Sequence, residues 1–170
     1  MIVAVLVSLL FLAGAAEPAW ATPLNGAAYG KADRVLVVKS ERKLYLLHND
    51  HVFASYRVAL GRSPVGHKVF QGDGRTPEGL YQLGRRNVGS RFYRSIHISY
   101  PSSRDYAEAR KYGNQPGGLV MLHGQAPNSG TGYYGSRRWD WTEGCIAVSN
   151  AEMDAIWAAT DEGTVIEILP

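Results

Sequence analysis

Cys145 is the only cysteine in the chain, set in "WDWTEGCIAVSN" (residues 139–150) directly after Gly144 and before the β-branched Ile146. Without an intrachain disulfide partner, the thiol has four possible uses: an inert buried group, an intermolecular disulfide, a metal ligand or a nucleophile. The nucleophilic reading needs a base. An unperturbed cysteine, with a pKa of about 8.5, is only a few per cent thiolate at neutral pH, and a neighbouring imidazolium lowers that pKa to about 3.5–7.5. His123 in "VMLHGQ" is the candidate, since it follows an apolar run and precedes Gly124, placing its ring at the rim of a core. Two strand ends can bring His123 and Cys145 together across the intervening loop.

Gly144 allows the backbone to approach a substrate closely. The amides of Gly144 and Cys145 are then expected to face a developing oxyanion, where loss of one donor costs about 2.7–4 kcal/mol. Thr142 is near enough to shape the turn. A zinc set of His97, His123 and Cys145 is the competing chemistry, although the chain has neither paired cysteines nor an "HExxH" arrangement. His97 in "SIHISY" otherwise reads as a packed strand residue, and His48, His51 and His67 read as solvated at or near turns. Between the two candidates, "YYGSRRWDW" (residues 133–141) offers Tyr133, Tyr134, Arg137, Arg138, Trp139 and Trp141 as a grip for a peptide with free carboxylates. It reads equally as a loop anchored by its tryptophans. Arg85, Arg86, Arg91 and Arg94 read as a solvated basic face.

The elements that must position these groups are mostly strands. "RVLVVK" (34–39), "KLYLLH" (43–48) and "VFASYRVAL" (52–60) are β-branched and aromatic runs separated by "SER" and "ND" turns, which predicts an antiparallel meander. A Gly- and Pro-dense stretch (61–79) predicts a long exposed loop, followed by strands at "LYQLG" (80–84) and "SIHISY" (95–100). A helix is expected from Ser102 or Ser103 to Gly113. A second is expected over "NAEMDAIWAAT", with Asn150 as N-cap and Met153, Ile156 and Trp157 on one face. "LVML" (119–122) and "TVIEIL" (164–169) complete the strands. Strands dominate, so the expected fold is a mainly antiparallel β-sandwich or barrel decorated by two helices.

The first residues, "MIVAVLVSLLFLAGAAEPAWATP", carry no charge before Glu17 and contain Ala19, Trp20 and Ala21 as a small-x-small pattern. This predicts a secretory signal over residues 1–21, with a retained membrane anchor as the alternative because no Lys or Arg precedes the apolar run. A lead (22–33) and one domain (34–169) follow. Removing Glu17 lowers the 15 acidic residues to 14 against 18 basic ones, a balance suited to an anionic substrate or surface. The expected location is the periplasm or cell-wall space, which disfavours nucleic acid as a partner.

Taken together, "HG" at 123–124, "TEGCI" at 142–146 and "GDGRTPEGLYQLG" upstream resemble the L,D-transpeptidase catalytic domain, the YkuD-type fold, over nearly all of residues 34–169. The resemblance implies a mainly β domain acting by acyl transfer on the stem peptides of peptidoglycan. It further implies Cys145 as nucleophile, His123 as base and later acid, the Gly124 carbonyl as the group orienting the imidazole, and no metal or organic cofactor. Most members place Arg two residues after the cysteine, where this chain has Ala147. The variant "DWTEGCIAVSN" resembles a murein L,D-transpeptidase-like subgroup that includes enzymes hydrolysing wall bonds and releasing covalently attached lipoprotein. L,D-endopeptidase or carboxypeptidase action is therefore an alternative to cross-linking, and a non-catalytic wall-binding module is the alternative of another class.

Overall fold

The computed structural model describes residues 30–126 and 140–170. The expected signal segment and the positions Tyr133, Tyr134, Arg137, Arg138 and Trp139 lie outside these residues.

Strands β1 (Arg34–Val38), β2 (Lys43–His48) and β3 (His51–Arg57) form the expected antiparallel meander. Alternation buries Val35, Val37, Leu44 and Leu46 completely, as a period-two strand with one core face requires. Asn49 and Asp50 both take positive φ (50° and 62°), the geometry of a two-residue hairpin turn whose twist matches its strands. The remaining elements are β4 (Gly79–Ser90), β5 (Tyr93–Ile98), α1 (Ser103–Lys111), β6 (Met121–His123), β7 (Ile146–Ala147), α2 (Asn150–Ala159) and β8 (Val165–Leu169). The strand order is β3-β2-β1-β8-β4-β5-β6-β7.

Two pairings depart from the antiparallel expectation. β8 returns beside β1 in parallel, and β6 runs parallel to β7. The sheet also curls on itself: Ala59, just beyond β3, exchanges two 2.9 Å backbone hydrogen bonds with Ala147 of β7, tying the two ends of the strand order together. β4 extends well past the expected residue 84. Register shifts between Leu83 and Arg86 and between Asn87 and Ser90 let polar residues continue the ladder, so the strand has no clean alternation to read.

Both helices carry a capping box. Ser102 and Asp105 close α1, which stops before Gly113 at φ 67°. At α2 the N-cap is Ser149, boxed with Glu152, and not Asn150; a side chain already held elsewhere leaves the orphan amides to the preceding hydroxyl. The other end of α2 has no basic residue in its last turn. Arg86 supplies one from β4, donating to the Trp157 and Thr160 carbonyls at 2.7 Å and lying 4.4 Å over the Trp157 ring. Arg94 pairs with Asp154. Two members of the expected solvated basic face thus hold a helix instead.

The connection from β3 to β4 is irregular as expected, yet it is pinned rather than loosely exposed. Asp73 accepts from the amides of Val69, Phe70 and Arg75 and from Lys68, and Thr76 Oγ1 accepts the Gly61 amide. His67, expected in solvent, docks on the first turn of α1: its Nε2 lies 3.1 Å from Asp105 Oδ1, and its Nδ1 accepts the Glu78 amide. The Asp105 carboxylate is 3% exposed, and a buried carboxylate recruits partners because an unpaired one is costly.

Candidate functional site

The parallel ladder between β6 and β7 places the two candidate side chains. Its register pairs Leu122 with Ile146 and His123 with Ala147. Leu122 and Ile146 are fully buried in the core, so alternation turns His123, and Cys145 one step before Ile146, to the opposite face. There both line one cavity of about 440 Å³, with Arg91, Phe92, Leu119 and Met121 among its walls. Cys145 also lines a second cavity of about 480 Å³ with Lys68, Gln71, Gly117, Glu143 and Gly144. Leu119 and Cys145 are common to both, so the sulfur stands at the divide.

The imidazole is tightly specified. Nδ1 donates to the Gly124 carbonyl at 2.7 Å, which leaves the lone pair of the neutral ring on Nε2. Phe92 stacks on the ring at 4.6 Å and Trp141 meets it edge-on at 5.8 Å. Trp141, read from the sequence equally as a substrate grip and as a loop anchor, here packs against the histidine. The peptide joining Gly124 to Gln125 is itself held, since the Gln125 amide donates to Asn150 Oδ1 at 2.7 Å. A β-carbon on Gly124 would lie 2.6 Å from that same oxygen, so only glycine admits the arrangement. Asn150 is therefore committed to the peptide that orients His123. The sequence signal for it was misread as a helix cap, because asparagine before an apolar periodic run suits either purpose.

The turn before Cys145 is built by Thr142 and Gly144. Thr142 Oγ1 donates to the Cys145 carbonyl at 2.7 Å and accepts the Gly144 amide at 3.1 Å. Gly144 adopts φ 133°, and a β-carbon there would fall 2.6 Å from the Arg75 carbonyl. Thr142 shapes the turn as expected. The Gly144 amide, however, donates to that hydroxyl, which leaves the Cys145 amide as the candidate oxyanion donor in this arrangement. Asp140, which the sequence did not single out, anchors the same segment by accepting the Leu60 amide and the Arg42 guanidinium.

The electrostatics correct the expected ion pair. Burial lowers the His123 pKa to about 4 against the opposing pull of the Gly124 carbonyl, with Arg91 adding to the fall. Burial also pushes the half-buried Cys145 thiol up, opposed by the Met121 amide, Lys68 and Arg91. Both groups are neutral at rest. A neutral pair of this kind is suited to general base catalysis, in which an imidazole removes a thiol proton as sulfur attacks. Sγ meanwhile lies 3.7 Å from the Leu119 carbonyl.

His97 lies on β5 opposite Met121, against Gly84, and among the described residues no three His, Cys, Asp or Glu side chains converge as metal ligands. No helix among them is long and apolar enough to cross a membrane.

YafK from Escherichia coli strain K12 is 28% identical over 129 residues, covering 72% of this chain and 45% of that protein. Among solved structures, Pgp2 of Campylobacter jejuni, a helical cell shape determining protein, aligns with TM-score 0.61 at 20% identity over 86% of this chain and 56% of that one. Bd1075 of Bdellovibrio bacteriovorus aligns with TM-score 0.54 at 23% identity, over 84% and 49%. An L,D-transpeptidase of Stackebrandtia nassauensis aligns with TM-score 0.55 at 11% identity, over 81% and 55%. These likenesses concern the fold, and the chain spans about half the length of each. The L,D-transpeptidase catalytic domain, YkuD, matches residues 32–168, and the chain belongs to that family.

Proposed function

We propose that the protein is an exported, cysteine-dependent L,D-transpeptidase acting on peptidoglycan stem peptides, with Cys145 as nucleophile and His123 as base and acid. The observation that carries this reading is the shared cavity face of Cys145 and His123, with Nδ1 tied to Gly124 and the Nε2 lone pair available. Nε2 takes the thiol proton as Sγ bonds to the amide carbonyl carbon. The tetrahedral oxyanion collapses, the C–N bond breaks, and the imidazolium passes its proton to the departing amine, leaving a thioester on Cys145. An amine acceptor gives up a proton to Nε2, attacks the thioester and restores the thiol. The apolar start of the chain supports export to the periplasm or wall space.

Hydrolysis, including release of wall-attached lipoprotein, is the second reading, and the residue at 147 favours it. Ala147 is 1% exposed and sealed by its bridge to Ala59, so the guanidinium usual in the family has no place there. Water in place of the amine then completes an L,D-endopeptidase or carboxypeptidase cycle.

The test is incubation of the purified chain with stem-peptide dimers, lipoprotein-linked wall fragments and acceptor amines, with products identified by mass. Cross-linked or exchanged peptides support transpeptidation, and shortened peptides support hydrolysis. Cys145→Ala is expected to abolish every conversion, and full activity in that variant removes the thiol from the mechanism.

A further inference from the structure

The two cavities that meet at Cys145 have unequal tasks, and the one remote from His123 holds a buried cation. A departing amine must receive its proton from His123, so it leaves through the cavity that His123 lines. The acyl portion of the donor then extends across the sulfur into the other cavity, which Lys68 lines. The Lys68 side chain is 4% exposed, and Nζ would lie 3.6 Å from a β-carbon on Gly144, the residue before the nucleophile.

Three features leave this ammonium able to take an anion. It donates to Asp73 at 2.8 Å and to the Phe70 carbonyl at 3.3 Å, whereas an ammonium has three protons to give. Burial would raise the Asp73 carboxylate, but the hydrogen bond from Lys68 and, after it, those from three backbone amides hold it below the ordinary range, so the loop shares its charge with the ammonium. Glu143, the acidic residue lining the same cavity, is paired with Arg62. The positive field also extends to the sulfur, since Lys68 is among the groups opposing the rise of the thiol pKa.

We infer that Lys68 forms a carboxylate-binding site in the acyl-donor cavity, selecting donor peptides that carry a free carboxylate on or beside the residue attacked by Cys145. The inference rests on the acyl-transfer reading for the direction of the donor. It assigns to the β3–β4 connection the anion recognition that Ala147 cannot provide.

The test separates binding from turnover. Cys145→Ala protein is titrated by calorimetry with a donor peptide bearing the free carboxylate and with the same peptide amidated there. The acid is expected to bind at least about tenfold more tightly, the scale of one charge-assisted hydrogen bond. Adding Lys68→Met to that background is expected to erase the preference, and Lys68→Arg to keep most of it. Because Lys68→Met strands Asp73, a Lys68→Met, Asp73→Asn version is measured alongside, and the preference is expected to be absent there too. Equal binding of acid and amide by the Cys145→Ala protein overturns the site. So does an equal loss for both peptides on removing Lys68, which would make the ammonium an element of loop architecture. Acid-selective binding that disappears with Lys68, in a chain whose wild type converts neither peptide, upholds the site and sinks the enzymatic reading instead.

Discussion

The imidazole and the thiol of the candidate site are held in opposite ways. His123 has its hydrogen bond fixed at 2.7 Å, one aromatic face covered by Phe92, its edge set by Trp141, and the accepting peptide pinned from α2 by Asn150. Cys145 has a rigid backbone turn beneath it, but its sulfur touches the Leu119 carbonyl only at 3.7 Å and lies between two open cavities. On the proposed acyl-transfer reading, the angular demands of proton transfer fall on the imidazole, while the sulfur keeps the freedom to become a thioester and return.

The comparison breaks most visibly at the base. His123→Gln is expected to reduce acyl transfer by at least about a hundredfold, within the range attributed to a positioned general base, and single-turnover acylation checks it. Asn150→Leu, which keeps the volume but removes the acceptor, is expected to lower kcat by about 10- to 100-fold with KM nearly unchanged, as a slightly misplaced base does. Asn150→Asp retains the oxygen and should recover most of kcat; equal damage in both variants would demote the residue to helix structure.

A pH series sharpens the electrostatic side. The depressed His123 pKa keeps Nε2 unprotonated at neutral pH, so the acid limb of kcat/KM should fall near pH 4 rather than near the ordinary histidine value of about 6.5. With the thiol raised, alkylation of Cys145 should be slow at mildly acidic pH and accelerate only in alkali. Rapid labelling at mildly acidic pH would restore the ion pair. The smallest effect is expected at the far end of α2. Arg86→Gln removes a helix-terminal cation worth about 1 kcal/mol, read as a lowered denaturation midpoint with kcat unaltered.

The meander, β8 and the bodies of both helices were legible because each carries its period or its cap in contiguous residues. The Cys145–His123 pairing was legible as a motif. Three features were not. β7 is two residues long, too short for any alternation to register. Lys68 reaches Cys145 only through the folding of the pinned connection, which no local pattern encodes. The shifts that favour a neutral thiol and imidazole come from burial contributed by residues far away in sequence, so a motif that names the pair does not disclose its charge. Arg86 and Arg94 show the same limit, because a run of arginines does not disclose that a helix packs beneath it.

The reciprocal bonds between Ala59 and Ala147 bear on association as well as on architecture. Had the final short strand been left open, its unpaired amides would have lain two residues from the Cys145 sulfur and invited strand addition from a neighbouring molecule. With that seam closed, a peptide that entered the cavities on the proposed reading would meet side chains beside Cys145, not a vacant ladder. Selectivity is thereby placed in the walls of the two chambers, where single substitutions can retune it without unravelling the sheet.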